Sequence, residues 1–226
     1  VTLIGAVGDD TTAGAALAIL RSDGVDLSRV VTTQEAATGV AQIVVANDGE
    51  NQIAVAPGAN HKLEAGAVDA SGFDVVLCQL EVTDEVVVTA AEQATGLFCL
   101  NAAPSRPIPE PALERCDVVI VNETENAMLH AQLERYDGLL IVTKGAAGAD
   151  AFRGGVMIAS AQPPSVVAVD AVGAGDTFCG SLVVSLAAGL DLGEALRRAC
   201  VAGALAATRR GAQPSIPTAA EVADLL

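Results

Sequence analysis

Four short apolar runs constrain this chain more than any other feature. They are Phe73 to Leu80 (FDVVLCQL), Leu97 to Asn101 (LFCLN), Asp117 to Asn122 (DVVIVN) and Gly138 to Gly145 (GLLIVTKG). Each is continuously apolar, then gives way to a polar residue or glycine, and none alternates as a half-wetted strand would. Strands of this kind are buried on both faces. With helices between them they predict a parallel sheet with right-handed crossovers. One helix is expected from about Asp84 to Ala94, and a helix-like segment ends at Cys116. In such sheets ligands bind beyond the carboxyl ends of the strands. The residues there are Glu81, Asn101, Asn122-Glu123-Thr124-Glu125 and Thr143-Lys144-Gly145, a polar rim where chemistry is expected.

The flanking sequence extends this α/β pattern. Val1 to Val7 reads as a buried strand, and Gly8-Asp9-Asp10-Thr11-Thr12 as the turn and cap of a helix through about Arg21. Thr38 to Ala46 and Gln52 to Ala56 flank Asn47-Asp-Gly-Glu-Asn51, a hairpin signal with Asp-Gly at its centre. Short strands are expected at Ala149 to Arg153 and Val166 to Val169. Three helices then close the chain: Gly175 to Ala188, Gly193 to about Arg209, and Thr218 onward. The Ala/Gly-rich stretch Ala199 to Ala207 suits close helix approach. With no internal repeat and no low-complexity linker, the expectation is one domain over 1–226 with a hairpin excursion.

Composition narrows the partners. Hydrophobic residues make up 51% but aromatics only 2%, so the core must be Ala, Val, Leu and Ile. The longest apolar stretches, such as Leu182 to Leu190 with one Ser inside, run to about nine residues. A membrane span needs roughly 18 or more, so a soluble protein is expected. A formal charge of -16 argues against nucleic acid, whose phosphates demand a basic face. An anionic ligand would need local donors instead: helix N-termini, a few cations, a metal ion. Cys78, Cys99, Cys116, Cys179 and Cys200 are odd in number and scattered, as reduced thiols of a cytoplasmic protein would be. His61 and His130 are too few and too far apart for a metal cluster. No secretory signal opens the chain, and Val1 already stands inside an apolar strand, so a segment upstream is expected.

The stretch Asp170 to Ser181, DAVGAGDTFCGS, carries the chemistry. A Gly-rich turn leading into a helix aims free backbone N–H groups at one spot, with the positive end of the helix dipole behind them. Gly173, Ala174 and Gly175 supply that turn, and a helix beginning at about Asp176 would hold this carboxylate ionised. There it could accept a proton from a hydroxyl while the N–H groups hold a phosphoryl group in transfer. The plainer alternative is that Asp serves as an N-cap and GAGD merely starts a helix. GxxxxGK[ST] is absent, and no GxGxxG follows the first strand.

DAVGAGDTFCGSL resembles the C-terminal signature of the ribokinase-like sugar kinases, the PfkB family. Thr38-Gly-Val-Ala, Gly49-Glu-Asn51, Pro57-Gly-Ala-Asn60, QLE (Gln79 to Glu81), NAAP (Asn101 to Pro104), NETE (Asn122 to Glu125), TKGAAG (Thr143 to Gly148) and RRGAQPSIP (Arg209 to Pro217) follow the same family in order. The hairpin and GAQPS narrow the likeness towards members that phosphorylate ribose. The resemblance implies a three-layer α/β/α fold with a mostly parallel central sheet and a small β-hairpin lid, of which 38–57 would be a remnant. It implies ATP-dependent phosphorylation of D-ribose to D-ribose 5-phosphate, with Mg²⁺, K⁺ activation and a homodimer formed through the lid. Asp176 would be the base on the sugar's primary hydroxyl, with the backbone of Gly173, Ala174, Gly175 and Asp176 as the anion hole. Asn122 and Glu125 would lie near the ATP phosphates and Mg²⁺. Thr143, Lys144, Gly145, Ala146 and Gly148 would embrace the nucleotide, and Glu81 would hydrogen-bond the sugar. Asp170, with Ser215 and the carbonyls of Val172, Ala206, Arg209 and Gly211, would bind the potassium ion.

The chain also departs from the family. The first strand with its acidic sugar contact, the lid segment after it and a GGxGxN loop do not occur in it, and Asn126 to Tyr136 is short for the helices and strand usual there. A hairpin without its partner strands would leave an exposed edge. Other readings therefore stay open: a kinase for another small sugar or a nucleoside, a catalytically silent sugar or nucleotide sensor, or a nicotinamide-dependent oxidoreductase.

Overall fold

A computed structural model describes residues 1–45 and 51–226 of the chain. Packing divides it into two compact units, Val1–Asp69 with Glu81–Ala90 and Ala70–Leu80 with Ala91–Leu226. Among the described residues no helix is long and apolar enough to cross a membrane.

In the first unit, β1 (Thr2–Gly8) leads through α1 (Thr11–Ser22) to β2 (Asp26–Thr33), which pairs with β1 in parallel. Asp10 caps α1 as expected, accepting from the Ala13 N–H at 2.9 Å. The same carboxylate accepts from the Thr38 N–H at 2.7 Å and the Thr38 hydroxyl at 2.8 Å, which fixes the chain before the hairpin. These bonds, the one from the Thr38 backbone foremost, hold the Asp10 carboxyl below its usual range. β2 was not expected. Its sequence DLSRVVTT mixes polar and apolar residues without the unbroken apolar character of the other parallel strands. β3 (Val40–Val45) and β4 (Asn51–Ala56) form an antiparallel ribbon and pair only with each other among the described residues. The Asp-Gly centre of that hairpin signal lies outside the described residues.

The second unit is built on β5 (Val75–Gln79), which α2 (Asp84–Gln93) follows in sequence. Then come β6 (Leu97–Asn101), α3 (Glu110–Arg115), β7 (Val118–Asn122), α4 (Glu123–Met128), α5 (His130–Leu133) and β8 (Leu139–Thr143). β9 (Ala149–Arg153), β10 (Val156–Ala161), α6 (Ala174–Ala187), α7 (Leu192–Ala207) and α8 (Ala219–Ala223) complete it. The sheet order is β10-β9-β8-β7-β6-β5, parallel from β5 to β8 and antiparallel beyond.

Side chains of successive strand residues point to opposite faces. Cys99, Val118, Ile120, Leu139 and Ile141 pack with Phe178, Leu182 and Val183 of α6 and with Ala195 and Leu196 of α7. The alternate residues Phe98, Leu100, Val119 and Val121 are at most 1% exposed, on the face where α4 lies against β7 and β8. Helices thus cover both faces, which is why the parallel strands are apolar without a break. The small residues of α7 do what their composition suggested: a Cβ added to Gly203 would lie 3.1 Å from the Ala174 carbonyl oxygen of α6. The short Asn126 to Tyr136 segment closes through the one-turn helices α4 and α5. Tyr136 is buried there and donates its hydroxyl to the Cys116 carbonyl at 3.0 Å.

One expected strand is absent and another takes its place. Val166 to Val169 forms no strand; Pro163 and Pro164 remove two backbone donors just before it, and the Val169 N–H goes to the Ala207 carbonyl at the end of α7. The edge strand is instead Val156–Ala161, joined to β9 by Gly154 and Gly155 at φ 55° and 75°, the double positive φ of a tight hairpin turn.

Leu182 is fully buried between α6 and the sheet. Leu182→Ala is expected to lower the unfolding free energy by about 2–5 kcal/mol. Urea denaturation checks this: the midpoint should fall at constant slope. An unchanged midpoint would contradict this packing.

Candidate active site

Two loops of the second unit are tied by one carboxylate. Asp170 accepts from the Val172 N–H at 3.0 Å through one oxygen and from the Gly211 N–H at 2.9 Å through the other. The backbone N–H groups of Val169 and Asp170 both donate to the Ala207 carbonyl, at 2.8 and 3.1 Å. The Gly211 and Val172 bonds, in that order, hold the Asp170 carboxyl below its usual range, with Arg210 adding a smaller electrostatic pull. Every residue read as a potassium ligand therefore lies in one of two adjoining segments, 170–172 or 206–215. Within the second, the Ala206 carbonyl receives the Arg209 N–H at 3.1 Å, and fully buried Ser215 donates its hydroxyl to the Ala212 carbonyl at 2.7 Å. Arg209 reaches Glu221 of α8 at 2.5 Å; this bond and those from Thr218 pull the Glu221 carboxyl down to about 2.

From this tie the chain enters α6. Gly173 is the N-cap at φ 77°, and a Cβ there would meet the Ala212 backbone at 3.0 Å. A side chain is excluded by conformation and by space together, at a cost of about 1–3 kcal/mol for the strained backbone alone. The helix starts at Ala174, just before the expected Gly175 to Asp176, because the Gly173 carbonyl already accepts the Thr177 N–H at 2.9 Å and its hydroxyl at 2.8 Å. Asp176 thus sits in the first turn rather than at the cap, and its side chain is exposed. N–H groups of a first turn, those of Gly175 and Asp176 among them, have no carbonyl one turn back within the helix, and they carry the positive end of its dipole.

The polar rim forms at the carboxyl ends of the parallel strands. Asn122 of β7 pairs in register with Thr143 of β8, and Asn101 ends β6 beside them. Asn122 and Glu125 close a reciprocal capping box on α4, each accepting from the other's N–H at 2.8 Å. The simple helix-start reading of NETE is therefore realised, whatever else these side chains do. Burial pushes the Glu125 carboxyl up, against the lowering bond from the Asn122 N–H. Glu81 belongs to the first unit, where it is exposed.

Between the rim and α6 lies a cavity of about 500 Å³. Thr143, Gly145, Ala146 and Gly148 line it on the side of β8, and Ala174, Gly175 and Phe178 on the side of α6. Of the residues expected around the nucleotide and in the anion hole, Thr143, Gly145, Ala146, Gly148, Ala174 and Gly175 thus share one opening, while Gly173 and Asp176 are not in its lining. Lys144 is not part of that lining: its ammonium is paired with Asp150 at 2.7 Å, and Ser160 holds the other Asp150 oxygen at 2.7 Å. Cys200, Gly203 and Ala204 of α7 and the Pro163-Pro164 segment complete the walls. Cys200 both packs, with its thiol pushed up to about 11 by burial, and faces the cavity. Sequence reasoning missed the 163–168 wall, whose only signal was the proline pair.

The profile described as pfkB family carbohydrate kinase matches residues 1–219. The chain belongs to this family. Among relatives of this pfkB kinase, the ribokinase of Schizosaccharomyces pombe is 33% identical, the match covering 98% of this chain and 78% of that one. The ribokinase of Bacillus subtilis is likewise 33% identical, over 100% of this chain and 81% of its own. Of solved structures, a ribokinase of Arabidopsis thaliana complexed with ribose and ATP superposes with a TM-score of 0.89 at 27% identity, covering 99% of this chain and 81% of that chain. The three-layer α/β/α architecture is common to both.

In this pfkB kinase the depressed Asp170 carboxyl links the loop to pH. A carboxyl whose folded pKa lies below its unfolded value adds stability above the unfolded pKa, and that stability is lost as pH falls through the folded pKa. An NMR titration should therefore give Asp170 a midpoint below the usual aspartate range, with the Val172 and Gly211 amide signals moving in step. A midpoint within or above that range would contradict the tie.

Proposed function

We propose that this protein transfers the γ-phosphoryl group of ATP to the primary hydroxyl of D-ribose, giving D-ribose 5-phosphate. The observation that carries this reading is one cavity lined by Thr143, Gly145, Ala146 and Gly148 together with Ala174 and Gly175 of the first turn of α6, where Asp176 is the next residue. Its size suits a small-molecule ligand. The relatives named ribokinase point to ribose among the possible sugars.

In the proposed reaction the Asp176 carboxylate takes the proton of the sugar hydroxyl as its oxygen bonds to the γ-phosphorus. The bond from that phosphorus to the bridging oxygen breaks, and ADP leaves. Charge gathers on the equatorial phosphoryl oxygens, where the N–H groups of Gly175 and Asp176 and the α6 dipole stabilise it. Since the chain carries a charge of -16, this local field has to outweigh a repulsive background.

Two ions belong to the proposal. The oxygen-only donor set of Asp170, Ser215 and the carbonyls of Val172, Ala206, Arg209 and Gly211 suits potassium, which would add positive charge beside the anion hole. Asn122 and Glu125 would stand near Mg²⁺ bound to the nucleotide phosphates; that charge would reverse the upward shift of Glu125. Glu81 is assigned to the sugar, and the β3–β4 ribbon to a homodimer contact.

Release of ADP in the presence of Mg-ATP, K⁺ and D-ribose is expected from the wild-type protein and should depend on the sugar. Asp176→Asn should keep nucleotide affinity but lower kcat at least about 100-fold, about 2.7 kcal/mol of barrier. Near-normal turnover in that variant would remove Asp176 from the role of base.

A further inference from the structure

The chain between α7 and the Thr218 cap of α8 has little regular structure to hold it; a 3₁₀ turn at Gln213–Ser215 is all that interrupts the loop. Two carboxylates grip this loop from outside it. Asp170 takes the Gly211 N–H at 2.9 Å, and Glu221 of α8 takes the Arg209 guanidinium at 2.5 Å. Glu221 has no part in the reaction proposed above. Its second oxygen accepts from the Thr218 N–H at 2.8 Å and the Thr218 hydroxyl at 3.0 Å, within the capping box of α8. One residue on, Val222 is buried against Val201 and Ala202 of α7. The carboxylate is therefore fixed through both oxygens, on a helix that is itself docked.

Ion pairs between two free surface side chains contribute little, largely because both have to be ordered to meet. The Arg209–Glu221 pair is partly exposed, but its acidic partner is ordered before the contact forms. Arg209 carries the grip into the loop. Its N–H donates to the Ala206 carbonyl at 3.1 Å, and its own carbonyl belongs to the donor set assigned to potassium. Gly211 follows two residues later at φ 85°, held by Asp170. A side chain pinned at Arg209 and an N–H pinned at Gly211 leave the backbone between them little freedom to turn. Groups that touch no ion themselves set the orientation of those that do, and losing them weakens ion binding. We propose, on the reading that potassium binds between the 170–172 and 206–215 segments, that Glu221 is a positioning residue for that ion. It acts through the Arg209 side chain, holding the loop in its ion-binding shape from the side opposite Asp170's hold.

The test follows the Val172 and Gly211 amide signals through a KCl titration, with tetramethylammonium chloride keeping the ionic strength constant. In parallel, kcat and the half-saturating K⁺ concentration are measured in the ribose-dependent assay. Glu221→Gln keeps a residue able to close the capping box but removes the charge that Arg209 meets. It is expected to raise half-saturating K⁺ at least about 5-fold by both readouts, with kcat at saturating K⁺ within about 2-fold of wild type. Arg209→Gln should raise it to a similar extent, and the double variant no further, since the two side chains form one contact. A lowered melting temperature in Glu221→Gln with an unmoved K⁺ midpoint would overturn the inference, and so would additive shifts in the double variant. If the wild-type amides show no saturable response to K⁺, the ion site fails and the inference with it. A Glu221-dependent amide response without sugar-dependent turnover would uphold the inference and contradict the kinase reading.

Discussion

The arrangement around α6 depends on the Asp170 carboxylate. Its two oxygens hold one N–H on each of two loops, Val172 before α6 and Gly211 after α7. Once these loops are tied, Ala212 is brought against Gly173, and only a residue without a Cβ can turn the chain into α6 at that point. The direction of the α6 N-terminus follows, and with it the position of Asp176 and of the free N–H groups beside it. α7 is held in the same arrangement through Ala207, so one wall of the cavity depends on the same tie. The two aspartates of DAVGAGD thus divide the labour, one fixing the loop and the other available to use it.

This arrangement answers an electrostatic difficulty. On the proposed function a chain of charge -16 has to receive an anionic nucleotide, and Lys144, between the lining residues Thr143 and Gly145, is already paired with Asp150. On that reading backbone supplies positive potential without side-chain ordering, through the first turn of α6 and its dipole, beside the two proposed ions. The same economy explains a cavity with so few polar side chains.

Legibility in the sequence followed physical rules. Strands buried on both faces, such as DVVIVN and LFCLN, stood out because neither face tolerates a polar residue. The α6 loop was legible because glycine is obligatory there. β2 and β10 were not, since a strand with wetted positions resembles a loop, although Gly154-Gly155 did mark the hairpin into β10. Val166 to Val169 misled because its valines belong to no sheet: Val166 lines the cavity, while Val167 and Val169 are exposed, a distinction that local pattern does not encode. NETE carried two meanings at once: the capping box is certain from geometry, and any role towards phosphate is superimposed on it.

The central claim is that one ligand spans the Thr143 to Gly148 loop and the first turn of α6. Amide chemical shifts followed through an ADP titration, and then with a non-hydrolysable ATP analogue, test it most directly. The account predicts that ADP perturbs Gly145, Ala146, Gly148 and Gly203, and that the analogue's third phosphate adds shifts at Gly175 and Asp176. Saturable shifts elsewhere that leave Gly175 and Asp176 unmoved would contradict it.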